Sequence, residues 1–429
     1  MGTLIRGAGG PDRTGRSIVP GRVPSFSLRL ISSLVPEIWS GSNVPTFTRA
    51  STAYVFGYTP TAVLGTDSPI AILVDSGEAR FMGARRISAG VYSAVDANGT
   101  PLTTATPYTD AGGPFGYLSE GARADVLGTT AAIRRTMTDV GWVVGATMTV
   151  GSATGVDGVA LAGASLTGGA VTATNTILFT TVLGAAVRTY SAWVRRKTGT
   201  GVVSITGDGG VTWTPMTLTT AYKNFAFTTA SAANPVVGFK IDTNADAIEV
   251  DFNTLEAATF ANPTPIPINV SKAADVLTYP SAGNINASVG SIYAEITKPA
   301  VSGLYFFGET YATGGAGMGY VDQGGGNDTW GFYDSTGTIR YFTVGAASSA
   351  FTTPAKHAMS YGGTSTTGAI NGVLKNTVAT ASPPLLLSAS FIVGDHRASG
   401  NTSPLFGTIR NLKLYPVALY QSELVGMTT

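Results

Sequence analysis

Punctuation is what most limits this chain. Its 429 residues include 55 glycines and 22 prolines, spread throughout, so helical periodicity is broken almost everywhere. Between the breaks, short runs rich in Thr and Val alternate apolar and polar residues, the pattern of half-buried strands. Residues 291–297 show it: Ile292, Ala294 and Ile296 share one face, and Tyr293 and Glu295 share the other. Residues 247–252 and 331–344 read the same way. Many short strands bounded by turn residues predict an all-β chain of tandem antiparallel β-sandwiches of the jelly-roll kind, preceded by an extended, loop-rich N-terminal module.

The length exceeds one ordinary sandwich, and three regions are read. Residues 1–127 form an N-terminal arm and attachment module, with short strands near 45–55, 70–74 and 90–94 and a turn at Asp96-Ala97-Asn98-Gly99-Thr100. Residues 128–267 form one sandwich, closed by Pro263-Thr264-Pro265-Ile266-Pro267. Alternating prolines stiffen the chain there and cannot occupy a central strand. Residues 268–429 form a second sandwich, ending in a helical turn at 422–425 capped by Ser422.

Charged residues make up 12 % of the chain, against a usual ~25 %. Hydroxyls and backbone carry the solubility, which suits a protein fixed in an assembly. The net charge of +1 gives no field that steers the chain to nucleic acid or to an acidic membrane. Arg85-Arg86 and Arg195-Arg196-Lys197 read as solvated turns, not as the basic, aromatic-interleaved stripes of a nucleic-acid binder. The N-terminal charges Arg6, Asp12, Arg13, Arg16, Arg22 and Arg29 fit a solvated arm and equally an arm that docks into a larger particle. With no cysteine, disulfides, Cys-ligated zinc, Fe–S clusters and thiol nucleophiles are excluded. The N-terminus lacks the apolar core of a leader. No stretch reaches the ~18 apolar residues a membrane helix needs, so no membrane insertion is expected.

Several segments, taken in order, carry a resemblance. In the first region they are Phe47-Thr48-Arg49-Ala50-Ser51-Thr52-Ala53-Tyr54 and Tyr117-Leu118-Ser119-Glu120-Gly121-Ala122-Arg123. Trp142 and the turn Gly155-Val156-Asp157-Gly158 come next, then Tyr190-Ser191-Ala192-Trp193-Val194-Arg195. Ile248-Glu249-Val250-Asp251-Phe252, Leu255-Glu256-Ala257-Ala258-Thr259-Phe260 and Lys272-Ala273-Ala274-Asp275-Val276-Leu277 follow. The last region adds Ala369-Ile370-Asn371-Gly372-Val373, an Asn-Gly hairpin, and Phe406-Gly407-Thr408-Ile409-Arg410-Asn411-Leu412-Lys413-Leu414-Tyr415. Each is weak alone.

Their order resembles that of phage and prophage virion proteins with an attachment module, a carbohydrate-binding-like jelly roll and a concanavalin A/laminin G-like sandwich. The resemblance implies a structural protein of a bacteriophage virion, made in the host bacterial cytoplasm. It points to a tail-associated fibre, spike or tip protein that adheres to host-surface glycan. The alternative is a head decoration or capsid fibre protein. A glycan depolymerase fits less well, since neither long β-helical repeats nor an acid pair is visible. The implied partners are other virion proteins, met through the N-terminal arm, and further copies of the chain, a homotrimer by analogy with phage fibres.

The search for chemistry favours binding over catalysis, and the chain reads as a non-enzyme. Of the two histidines, His357 reads as structural. His396 follows Asp395, but adjacent strand residues point to opposite faces. Neither a nucleophile elbow nor a Walker loop is present, and Gly314-Gly315-Ala316-Gly317-Met318-Gly319 lacks a phosphate cradle's spacing. Glycoside hydrolysis needs two carboxylates across one bond; Glu295 is followed by Ile296, Thr297 and Lys298, which breaks the pattern. Glu309, Asp322, Asp328 and Asp334 are scattered near loops. Asp322, Asn327, Asp328 and Asp334 are oxygen-rich and close in sequence, a weak candidate Ca2+ set, and equally turn formers. Sugar binding uses exposed aromatic faces. Trp330, Tyr333 and Tyr320, around a Gly/Asp loop, and Trp213 are the candidate glycan residues, with Trp330 expected at a loop tip. The competing reading is that these rings fill cores.

Overall fold

Strand pairing begins where the alternating runs begin. The computed structural model describes residues 116–269, 271–298 and 404–429. It also describes 26–29, 37–38, 46–57, 70–76, 81–82, 85–88, 91–93, 305–309, 318–323, 327–333, 339–346, 351–362, 365–375, 378–379, 389–395, 397–398 and 401–402. Their strands form antiparallel sheets, so the chain is an all-β protein of stacked sandwiches.

The central sandwich is a jelly roll of two five-stranded sheets. One runs Trp142–Val144, Thr176–Thr180, Val236–Ile241, Val203–Thr206, Thr214–Pro215. The other runs Thr149–Ala153, Gly163–Thr167, Ala247–Glu256, Ala186–Thr198, Lys223–Ala232. Alternation decides which residues face inward. Ile177 and Phe179 are buried while Thr176, Leu178 and Thr180 are not. Trp142, Leu166, Tyr190, Val194, Val203, Ile205, Phe239 and Ile248 join them in one core. Each such buried side chain contributes ~1.5–3 kcal/mol. The basic run Arg195-Arg196-Lys197 is not a solvated turn. It lies in the strand Ala186–Thr198, where Arg195 pairs with Glu249 and Arg196 with Asp246.

The C-terminal sandwich has two larger sheets. The first runs Glu37–Ile38, Phe26–Arg29, Gly407–Tyr415, Val289–Lys298, Phe351–Gly362, Ser365–Ile370, Val373–Leu374, with Gly116–Ser119 also paired to Gly407–Tyr415. The second runs Ile339–Ala346, Asn327–Tyr333, Met318–Gln323, Tyr305–Glu309, Ser390–Val393, Val276–Pro280, Thr46–Thr48. The boundary read at residue 127 therefore follows the order of the chain, while in space strands from the first region extend both sheets of the last. The run read as one strand over 331–344 is two, Asn327–Tyr333 and Ile339–Ala346. The Asn-Gly hairpin is present: Asn371 and Gly372 take φ of 46° and 77°, and Ile370 pairs with Val373.

Two local expectations change. Residues 291–297 are buried on both faces, not one. Tyr293 is covered by Leu419 and Leu424 of the C-terminal segment, and Glu295 is covered by Arg410 and Asn411. The C-terminal helix runs Gln421–Thr428, with Tyr420 and not Ser422 at its cap. The Glu423 carboxylate accepts the Tyr420 N–H at 2.7 Å.

Candidate functional site

Register places the aromatic candidates of the last sandwich. Tyr320 lies directly opposite Trp330, and Trp330 directly opposite Phe342, so positions 320, 330 and 342 form one row across three strands. Inward from this row, Leu277 and Tyr279, both 1 % exposed, pair with Val393 and Phe391. Those pair with Phe307 and Glu309. The register shifts between Tyr305 and Gly308 where the next strand joins, and Phe391, Ile392 and Val393 are buried on both faces of their strand. Trp330 sits inside the strand Asn327–Tyr333, not at a loop tip. Tyr333, an odd number of residues away, falls on the other face, opposite Ile339.

The same register splits the weak Ca2+ set. Asp322 lies opposite Asp328, whereas Asn327 pairs with Gln323 on the other face; Asp334 lies outside the described residues. Among the described residues no group of three or more His, Cys, Asp and Glu stands together as metal ligands.

Trp213 has a different setting. Val203 and Ile205 point into the jelly-roll core, so Ser204 and Thr206 belong to the outward face. Thr206 is nonetheless fully buried, because the following loop folds back over it. Its hydroxyl donates to Asp208 Oδ1 at 2.8 Å and accepts the N–H groups of Asp208 (3.3 Å) and Gly210 (3.0 Å). Asp208 Oδ1 also accepts Thr212 N–H at 2.9 Å, and Gly209 N–H reaches Val236 O at 2.8 Å. Gly209 and Gly210 take φ of 76° and 86°, which a side chain would strain.

A Cβ on Gly210 would lie 2.9–3.0 Å from three indole atoms of Trp213. The ring is thus seated on the bare glycine and cannot sink further. It stays half-buried, between exposed Thr212 and Thr214 and near Val211, which is 88 % exposed. Burial opposes ionisation of Asp208, but hydrogen bonds from Thr212, Thr206 and Gly210 outweigh it and hold the carboxyl below its usual range. The result is a half-buried aromatic ring and a hydrogen-bonded carboxylate on one short loop. The signal for this loop, Thr206-Gly207-Asp208-Gly209-Gly210, was in the sequence as an Asp-Gly turn.

The segment Glu120-Gly121-Ala122-Arg123 performs a structural task. Glu120 accepts the hydroxyl of Thr264 at 2.9 Å and pairs with Lys272 at 3.3 Å, with all three side chains buried. Lys272 Nζ also donates to Gly121 O, and Arg49 pairs with Asp275 at 3.1 Å. The Arg123 guanidinium lies over the edge-to-face pair of Phe260 and Phe406, 4.3 and 4.4 Å from their ring centres, and 3.6 Å from Glu256. A Cβ at Gly121 would meet Pro404 and Phe406 at 2.6 and 2.8 Å, so only glycine fits there. Arg134 is 1 % exposed; it pairs with Asp125 at 2.7 Å and donates to the carbonyls of Ile266 and Pro267. The proline-rich closing stretch is thus packed against the jelly roll. Burial pushes the Glu256 carboxyl up to about 7. The Asn262 N–H and Arg123 work against this, and Asp125 and Glu120 add to it. Neither Arg134 nor its partners stood out in the sequence, because a buried arginine has no local signature.

His357 is fully buried in Phe351–Gly362, and burial, then Lys298 and Lys375, pushes it down to about 3. A neutral, enclosed imidazole is poorly placed as a general base. Glu295 is held by Arg410 at 2.7 Å, by Asn411 and by the Tyr293 hydroxyl. His396 lies outside the described residues.

No family model matches this sequence, and no curated protein matches it. Among solved structures, the chain is similar to the CBM40 of Ruminococcus gnavus IT-sialidase bound to α2,3-sialyllactose, at 15 % identity and a TM-score of 0.29. That match covers 33 % of this chain and 83 % of the other. Trypanosoma rangeli sialidase with 2,3-difluorosialic acid is similar at 16 % identity and a TM-score of 0.29, over 40 % of this chain and 28 % of that one. The binding domain of botulinum neurotoxin DC in complex with SialylT is similar at 8 % identity and a TM-score of 0.27, over 35 % and 38 %. The chain thus spans well under two thirds of these last two. The fold rests on the sheets described above.

Proposed function

We propose that this chain is a structural protein of a bacteriophage virion, a tail-associated fibre, spike or tip component, that binds host-surface glycan reversibly. Trp213 is its contact platform. The observation that carries the adhesive part is the seating of the Trp213 ring on Gly210, in a loop held by the Thr206 and Asp208 side chains. A pyranose offers an apolar C–H face to such a ring. A platform fixed before binding loses little freedom when the sugar arrives.

The virion part is supported by the order of motifs along the chain. In this reading the N-terminal arm meets other virion proteins and copies of the chain associate. Antibody-gold labelling of purified particles tests the location: gold at tail tips or fibres is the expected result. Gold over the head would make the chain a decoration or capsid fibre protein, and absence from particles would sink the virion reading. Adhesion is tested by comparing wild type with Trp213→Ala on host cells; undiminished adhesion by the variant would remove Trp213 from the role.

A further inference from the structure

We infer that the Trp213 loop selects neutral, hydroxyl-rich sugars and turns away acidic ones, with Asp208 as the selecting group. The inference rests on reading the loop as a glycan platform and adds the charge class of its ligand.

Asp208 holds the loop through Oδ1, which accepts the Thr206 hydroxyl and the Thr212 N–H, and the Thr212 side chain and Gly210 also stabilise its charge. Asp208 is only half-buried. Gly209 and Gly210 follow it without side chains, and Trp213 rests on the second of them, so ring and carboxylate stand on one short loop. A sugar stacked on the indole presents its equatorial hydroxyls at the ring's rim. A hydroxyl donating to a carboxylate makes a charge-assisted bond, roughly twice as strong as a neutral one.

A carboxylated sugar on the same ring would bring like charge toward Asp208 instead. The outward face offers little to offset that. Lys240, opposite Ser204 in the next row, is already paired with Asp242 at 2.7 Å. The exposed neighbours Thr212 and Thr214 are hydroxyls, which suit a neutral polyol.

The test uses the full chain and measures binding of maltoheptaose and chitohexaose as neutral probes, with 3′-sialyllactose and a hyaluronan oligomer as acidic ones. Wild type, Asp208→Asn and Trp213→Ala are compared, each checked for an unchanged melting profile. Asn keeps an oxygen for the Thr212 N–H, so the loop is retained. Wild type is expected to prefer a neutral probe by roughly tenfold, about what one charge-assisted bond supplies. Asp208→Asn should shrink that ratio severalfold by weakening the neutral probe and admitting the acidic ones. Trp213→Ala should lose both. Wild-type preference for an acidic probe, or an unchanged ratio in Asp208→Asn, overturns the selection and leaves the platform standing. Binding that survives Trp213→Ala, or no binding to any probe, removes the platform and the selection with it.

Discussion

In the jelly roll, Trp213 stands on a loop above the outward face of its sheet, seated on a glycine and half open to solvent. In the C-terminal sandwich, positions 320, 330 and 342 run as a row inside three strands. The two settings imply different uses of the same kind of residue. An aromatic position within a strand inherits its face from the register of its sheet. An aromatic position on a loop owes nothing to that parity, and its exposure is set by local hydrogen bonds.

The sharpest way to break this comparison is Trp330→Ala. An aromatic ring that fills a core costs ~3–5 kcal/mol to remove, so on the reading that position 330 packs inside, the unfolding transition of the C-terminal sandwich should move strongly to lower denaturant. Glycan binding per folded molecule should stay at the wild-type level. Unchanged stability with lost binding would exchange the roles of the two tryptophans.

Trp213→Ala is the mirror experiment, with its effect on binding. Adhesion should fall tenfold or more, about 1.4 kcal/mol, while stability should move by no more than ~1 kcal/mol, because the ring is only half-buried and lies outside the core cluster. A large drop in stability would make Trp213 a structural residue and dissolve the contrast.

Much of the fold was legible because it is local. The strand at 291–297, the Asn371-Gly372 turn and the turn at residues 155–158, closed by Gly158 N–H to Gly155 O, all occur where the pattern put them. What escaped was long-range. That Phe26–Arg29 and Gly116–Ser119 both pair with Gly407–Tyr415 is decided by which sheet edge is open, and no window of sequence carries that. The second face of the 289–298 strand was misread for the same reason, since its cover arrives from the far C-terminus. Among the candidate glycan residues, the sequence favoured Trp330, because of the Gly/Asp run before it, over Trp213. Trp330 lies inside a strand and Trp213 on a loop, and the Asp208 contribution went unread because an Asp-Gly turn usually means no more than a turn.

The smallest expected effect contrasts the two sandwiches by their response to acid. Glu256 lies where the jelly roll meets Phe406 through Arg123, and its carboxyl is raised to about 7 from an ordinary 4.5. The folded chain therefore takes up a proton there between those values while the unfolded chain does not, so this group adds stability as pH falls from 7 to 4.5. Asp125 and Asp251, raised mainly by burial, act in the same direction. His357 in the C-terminal sandwich has the opposite sign. It is held near 3 against an ordinary 6.5, so the unfolded chain binds the proton first and stability is lost as pH drops below 6.5. Across pH 7 to 5 the two partly cancel, and the wild-type melting temperature should change little. Glu256→Gln removes the favourable contribution and leaves the unfavourable one, so its melting temperature should fall more steeply with acid than that of wild type. Melting profiles of both proteins at half-unit steps of pH decide it: parallel profiles would mean that Glu256 is already ionised at the junction at neutral pH, with Arg123 holding its charge in place.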